Sequence, residues 1–395
     1  MKKRNQKGGA AVVAVLVVIM LVAAGSAALV VTGRHTIQES KAVDTAMEAE
    51  RKEQKELYDE SSSQAADESS EIEEKPEKTN LYPTLSDSYQ EIYIKDLTCK
   101  ASILIDAESN ETLAGEEIGK KIYPASLTKL LTLLVAVENI EDMDATYKFT
   151  SEDIDPLIEE NASRAGFEAG EEVTMKDLLY SSILVSGADG TLGLAKSVAG
   201  SEEAFAELMN QKIKDLGLTG TEFVNASGLH DKKHFSTVQD LAIITKAVYE
   251  NETCREIITA DTYKTSKTKA HEDGIELTSI VASRLAGYYV DVDGDGEGDA
   301  DILGGKTGFT DEALYTLSTV CEYNDHIYIC VTAKSSNQYT SVEDTIAIYE
   351  RYLPGGKGSD KKETSDNSKD ESSSKADSEK ETDSSSSSEA EDYEA

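Results

Sequence analysis

The chain has 395 residues, with 76 aspartates and glutamates against 39 lysines and arginines, for a formal net charge of −37. Phosphate recognition needs clustered cations, so this balance excludes a nucleic-acid partner. Length alone allows two or three domains, but polar stretches at both ends leave one foldable unit of enzyme size between them.

Residues 2–7, KKRNQK, carry four positive charges, and residues 10–31, AAVVAVLVVIMLVAAGSAALVV, carry none. At ~1.5 Å rise per residue, a helix over that run spans the ~30 Å hydrocarbon core. Its basic flank stays in the cytoplasm. Residues 1–34 are therefore read as a cytoplasmic stub and a transmembrane helix, which places the protein in the cell membrane with the rest of the chain outside the cytoplasm. The competing reading is a cleaved signal peptide and a secreted protein, because AGSAA offers small residues to a signal peptidase. Residues 35–84 are charge-dense and bury too little apolar surface to offset ordering entropy, so they read as a spacer. Residues 355–395 are serine, acid and lysine, a composition that predicts disorder.

The folded unit is thus expected over residues 85–354. KASILIDAES alternates like a strand, with ETLAGEEIG as its hairpin partner. PASLTKLLTLLVAVENI is an apolar helix with a polar first turn. MKDLLYSSILVSG and TLGLAKSVAG read as two helices broken at Ser186 and Gly187. SEEAFAELMNQKIKDLGL is amphipathic, and STVQDLAIITKAVYEN opens on an arrangement close to a capping box. Strands follow at DILGGKTG, LYTLSTVCEY and HIYICVTAK, then the helix SVEDTIAIYERYL. Strands at both ends with helices between them imply an α+β fold whose sheet is assembled from the two ends of the unit. Cys99, Cys254, Cys321 and Cys330 form no zinc-type cluster. Cys321 and Cys330 fall diagonally on one face of a hairpin turned at Asn324 and Asp325. A disulfide is permitted there, but each cysteine reads best as a small buried residue.

Ser126 and Lys129 lie three apart at a helix start, so their side chains meet on one face. A serine hydroxyl is a poor nucleophile until a neighbour takes its proton, and a lysine does so only when its pKa is lowered. The positive end of the helix and apolar surroundings both disfavour the ammonium. A helix start with an exposed lysine is the plain alternative, and S-x-x-K is common by chance. The motif gains force from GGKTGFT, about 180 residues later, at the start of an expected strand.

Together, Ser126-x-x-Lys129 and Lys306-Thr307-Gly308 resemble the first and third motifs of the penicillin-binding protein and serine β-lactamase superfamily. Residues 199–248, with FVNASGL and STVQD, are similar to the D-alanyl-D-alanine carboxypeptidases within it. That resemblance covers roughly residues 90–353. It implies an antiparallel sheet flanked by helices beside an all-helical lobe, with the site between them. It also implies a serine-type carboxypeptidase that trims the terminal D-alanine from peptidoglycan stem peptides ending in D-Ala-D-Ala, is acylated by β-lactams, and requires no cofactor. Carried over by position, Ser126 forms the acyl-enzyme, Lys129 accepts its proton, and Ser186 relays a proton between Lys129 and the leaving amine. Lys306 and Thr307 hold the substrate carboxylate, and Gly308 lets the edge strand approach closely. The backbone N–H groups of Ser126 and Phe309 form the oxyanion hole.

The second motif departs from the family's Ser-x-Asn, reading Ser186-Gly187-Ala188 followed by Asp189. Alanine offers neither donor nor acceptor, so either positioning weakens or a water or Asp189 substitutes. Acylation is expected to survive with altered turnover. A membrane-anchored sensor that acylates but turns over weakly is the rival reading, and a β-lactamase the next. Other members of the family carry a C-terminal β domain and anchoring helix, so the N-terminal helix is expected to do the anchoring here.

Ahead of Lys306 run Asp291, Asp293, Asp295, Glu297, Asp299 and Asp301. The opening D-x-D-x-D-G fits a calcium loop, with Glu297 and Asp299 at the next alternate positions, but the twelfth position is Ile302 where a calcium loop wants glutamate. An exposed acidic hairpin fits as well. Because these acids would compete for Lys306 and repel an anionic substrate, they are expected to point away from the cleft or to be neutralised by a cation.

Overall fold

Six strands from the two ends of the described chain build one sheet. The computed structural model describes residues 82–356, and the expected membrane helix, most of the spacer and nearly all of the tail lie outside them. β1 (Thr84–Glu91), β2 (Ala101–Asp106) and β3 (Glu111–Glu116) join β4 (Asp301–Thr310), β5 (Leu314–Tyr323) and β6 (His326–Ser335) in the order β1-β3-β2-β6-β5-β4. β2 and β6 are central and buried on both faces, which is why ASILID and the middle of β6 read as nearly continuous apolar runs. β4, which carries Lys306, is an edge strand. Its backbone therefore keeps one open side on which a ligand chain can pair.

The expected α+β architecture holds, with two corrections. β1 pairs parallel to β3, with Gln90 opposite Ala114, so the sheet is not wholly antiparallel. TLSDSYQE is polar because the strand sits at the far edge and exposes most of its residues, and for that reason it is not among the strands expected from the sequence. The helical lobe also holds two short antiparallel ribbons, Thr146–Lys148 with Glu172–Thr174 and Thr262–Lys264 with Glu276–Thr278, so it is not all-helical.

The helices are α1 (Thr128–Asn139), α2 (Ser151–Glu159), α3 (Met175–Leu184), α4 (Ala188–Ala199), α5 (Glu202–Asp215), α6 (Val238–Glu250), α7 (Glu252–Ile258), α8 (Ile280–Leu285) and α9 (Gln338–Tyr352). α3 and α4 break where expected, around Ser186. α1 is buried from Thr128 to Ala136 and forms the axis of a core with α3, α5 and α6. A second core packs α9 on the opposite face of the sheet through Val342, Ile346, Ile348 and Tyr349. Among the described residues no helix is long and apolar enough to cross a membrane. The four cysteines are buried free thiols. Cys321 faces Tyr328 across the β5/β6 pair, which puts Cys330 on its diagonal as expected.

Candidate active site

A single 3₁₀ turn, Ala125–Leu127, delivers Ser126 to the head of α1. Ala125 holds φ +49°, a left-handed conformation that costs an L-residue free energy and persists only where surroundings impose it. The imposing groups are visible. Thr316 donates its hydroxyl to the Pro124 carbonyl (3.2 Å) from β5, and Thr128 donates its own to the Ala125 carbonyl (2.8 Å). Gly308 of β4 closes the remaining side. A Cβ there would lie 3.0 Å from the Ser126 nitrogen and from the Pro124 carbonyl oxygen, so only glycine lets the edge strand sit against the serine.

Lys129 follows one turn later, as the spacing predicts. Its Nζ donates to Ser126 Oγ (3.0 Å) and to the Ser227 carbonyl (2.6 Å). Burial drives its pKa down to about 7, although Asp189 and Glu202 oppose the fall. Near neutral pH a large share of this amine is therefore unprotonated and in contact with a hydroxyl, the arrangement of a general base beside its nucleophile.

Ser186 sits in the α3–α4 turn at φ +58°. Its hydroxyl accepts from Lys306 Nζ (3.0 Å), and Lys306 also donates to the Thr307 carbonyl (2.8 Å). Ser186 is thus hydrogen-bonded to Lys306 in the resting site, and its expected proton relay from Lys129 would act during the reaction. Lys306 is almost completely buried, and burial, with the nearby charges of Lys129 and Arg284, holds its pKa well below the usual lysine range. Thr307 is buried beside it, and Phe309, half exposed, packs on Tyr315 at the lip of the edge strand.

Asp189 does not stand in for the absent asparagine. Its carboxylate accepts the backbone N–H groups of Ala165, Gly166, Phe167 and Gly190 at 2.9–3.3 Å, bracing the loop before α3. Ala188 leaves the third position of the second motif without a side-chain hydrogen bond.

Two further residues went unrecognised in the sequence. Arg284, on α8, brings a cation whose charge is felt at Lys306, and its Nη1 is buried with no hydrogen-bond partner among the described residues. Such an orphaned donor is costly unless an anion meets it. Ser227 supplies the carbonyl acceptor for Lys129; only its place in FVNASGL marked it.

The acidic run is separate from this centre. Asp291, Asp293 and Asp299 gather carboxylate oxygens within 4.8 Å of one another, while Asp295 and Glu297 stay outside that group, exposed on the turn. Asp299 accepts the N–H groups of Val292 and Asp293, and Asp291 those of Gly294 and Gly296. The acids thus face one another and their own loop.

A serine–lysine pair under an open sheet edge that carries a buried lysine and threonine defines a class of acyl-transfer site. The family model described as D-alanyl-D-alanine carboxypeptidase matches residues 88–337, and the chain belongs to that family. It is 31% identical over 229 residues to D-alanyl-D-alanine carboxypeptidase DacF of Bacillus subtilis, covering 55% of this chain and 53% of that one. It is 34% identical over 173 residues to DacC of Escherichia coli, covering 42% and 43%. The chain thus spans about half the length of the curated relatives it matches. In fold it is similar to the Streptomyces K15 DD-transpeptidase, with a TM-score of 0.58 at 23% identity over 66% of this chain and 99% of that one. It is likewise similar to penicillin binding protein 5 from Haemophilus influenzae, with a TM-score of 0.56 at 22% identity over 66% and 72%.

Proposed function

We propose that the protein is a serine-type D-Ala-D-Ala carboxypeptidase acting on peptidoglycan stem peptides and acylated by β-lactams. The observation that carries the reading is the Lys129 Nζ to Ser126 Oγ contact at 3.0 Å with the lysine pKa brought to about 7. The unprotonated amine takes the serine proton as Oγ attacks the carbonyl carbon of the penultimate D-alanine. The C–N bond then breaks, the departing D-alanine amine takes a proton, and water hydrolyses the ester by the reverse path. The Ser186–Lys306 pair supports a second proton route on the leaving-group side. Lys306, Thr307 and Arg284 form the anion-binding end of the site, where the substrate carboxylate satisfies Arg284. The Ser126 and Phe309 N–H groups stabilise the oxyanion, each worth about 2.7–4 kcal/mol in sites of this type. No cofactor enters these steps. The sequence of residues 10–31 supports membrane anchoring with the domain outside the cytoplasm.

Intact-mass measurement after penicillin treatment tests this. The wild-type chain is expected to gain one covalent adduct and Ser126→Ala none; an unmodified wild-type chain would overturn the reading. Ala188 favours one second reading, a sensor that acylates and turns over slowly, and release of D-alanine from a stem-peptide mimic separates the two. Fast penicillin hydrolysis would instead point to a β-lactamase.

Calcium at Asp291, Asp293 and Asp299 remains a proposal of the same kind. Its oxygen donors suit that ion, but the apolar Ile302 stands where a calcium loop wants a bidentate glutamate. A bound ion raises the melting temperature by mass action, so an unchanged melting curve with chelator and no calorimetric heat on adding calcium removes it.

A further inference from the structure

We propose that Glu202 is a positioning residue for Lys129: it fixes the Ser227 carbonyl on the lysine amine and, through its charge, sets how readily that amine holds the Ser126 proton. The proposal rests on the acyl-transfer reading above.

The geometry is a short clamp. Glu202 opens α5, directly after the N-cap Ser201. Its Oε1 accepts the Ala226 N–H at 3.1 Å, and the Ala226 carbonyl accepts the hydroxyl of Thr132, one turn along α1 from Lys129, at 2.7 Å. The next carbonyl, that of Ser227, receives Lys129 Nζ at 2.6 Å. Asn225 closes the turn by accepting the Gly228 N–H and donating to the Leu229 carbonyl. One carboxylate thus holds the loop one residue from the acceptor that the base needs once it is protonated.

Charge adds to placement. The two anions acting on Lys129 are Asp189 and Glu202. Asp189 is the stronger of the two and accepts four backbone N–H groups, while Glu202 accepts that of Ala226. Glu202 lies in a cavity of about 350 Å³ together with Glu152, Asp153, Glu160, Lys196 and Ser227. Burial first, then Glu203, push its carboxyl above the usual range, while the Ala226 N–H, Lys129 and Lys196 pull it down. Lys196 is itself bonded to Asp153. Lys306 and His234 both feel the charge of Lys129, but burial holds the Lys306 pKa well below its usual range and that of His234 near 4. His230, Asp231, Lys232 and Lys233 complete the loop's ionisable groups. With no side-chain acceptor at Ala188, the buried ammonium relies on the Ser227 carbonyl and on these two anions.

Glu202→Gln separates placement from charge, because the amide oxygen still accepts the Ala226 N–H. The readout is the second-order rate of Ser126 acylation by labelled penicillin across pH. The variant is expected to move the acidic limb of the profile to lower pH and to lower its plateau several-fold, since a weaker base takes the proton less well. Glu202→Ala should show the same shift together with a lower melting temperature from the released loop. A Glu202→Gln profile superimposable on wild type would overturn the proposal. Absence of any Ser126 adduct in wild type refutes the acyl-transfer reading itself, whereas an adduct with coincident profiles refutes only the role of Glu202.

Discussion

Lys129→Met is expected to abolish most acylation while making the protein more stable. On the catalytic side, wild-type acylation should rise with pH through the region near 7, where burial has brought the lysine pKa. The methionine variant should lose that dependence and fall ~10²–10⁴-fold, the usual worth of a positioned general base. On the stability side the sign follows from linkage. The folded pKa of about 7 lies below the ordinary 10.5, so between those values the unfolded chain binds a proton that the folded chain does not. Wild-type stability therefore rises with pH across that window. Below it, the folded protein carries a buried ammonium whose cost, at ~1.4 kcal/mol per pKa unit, is of the order of several kcal/mol. Methionine has a similar length and no charge. Thermal melts at about pH 6 and about pH 10 check the prediction: the variant should melt above wild type at the lower pH, with the gap closing at the higher. An equal gap at both would mean that Lys129 is charged throughout, and the base assignment would fail with it.

That combination of a stability cost and a chemical use explains which parts of the site were legible in the sequence. Ser126 and Lys129 are a local pair: three residues on a helix bring them together whatever the rest of the chain does, so spacing alone was enough. Lys306 and Ser186 are 120 residues apart, and their 3.0 Å contact needs the sheet edge and the α3–α4 turn to meet. Residue order named both, through resemblance, but could not show that Ser186 bonds Lys306 in the resting site. Asp189, one of the substitutes considered for the missing amide, is engaged elsewhere for a simpler reason. It follows Ala188 directly, but successive helix residues point ~100° apart, so a neighbour in sequence faces the preceding loop instead of the cleft. Glu202 and Arg284 were invisible because each lies on an amphipathic or short helix where a charge reads as solvent-facing. β1 was missed because an edge strand with one exposed face need not look apolar. In contrast, β2, β5 and β6 were plain from their apolar runs.

Gly228→Ala should collapse the site through backbone alone. Gly228 has φ +81°, and a Cβ there would lie 1.9 Å from the Ala125 carbonyl oxygen and 2.4 Å from its carbon. Both are backbone atoms of the residue that precedes the nucleophile, itself held at φ +49°, so nothing flexible is available to yield. The substituted loop must retreat, taking the Ser227 carbonyl from Lys129 or pushing Ser126 from β4. A misplacement of ~1 Å near reacting atoms costs ~10²-fold in rate, and acylation is expected to drop by at least that factor. Stability should fall as well, by ~1–2 kcal/mol for the left-handed backbone and ~1–3 kcal/mol for overpacking. Gly200→Ala is the matched control. Gly200 also has φ +81°, but a Cβ there meets nothing within 4 Å, so that variant carries the backbone strain without the collision. It should lose only the smaller stability increment and acylate at the wild-type rate. Equal melting temperatures and equal acylation rates for the two alanine variants would show that close approach at Gly228 plays no part in holding Ser126 and Lys129 in register.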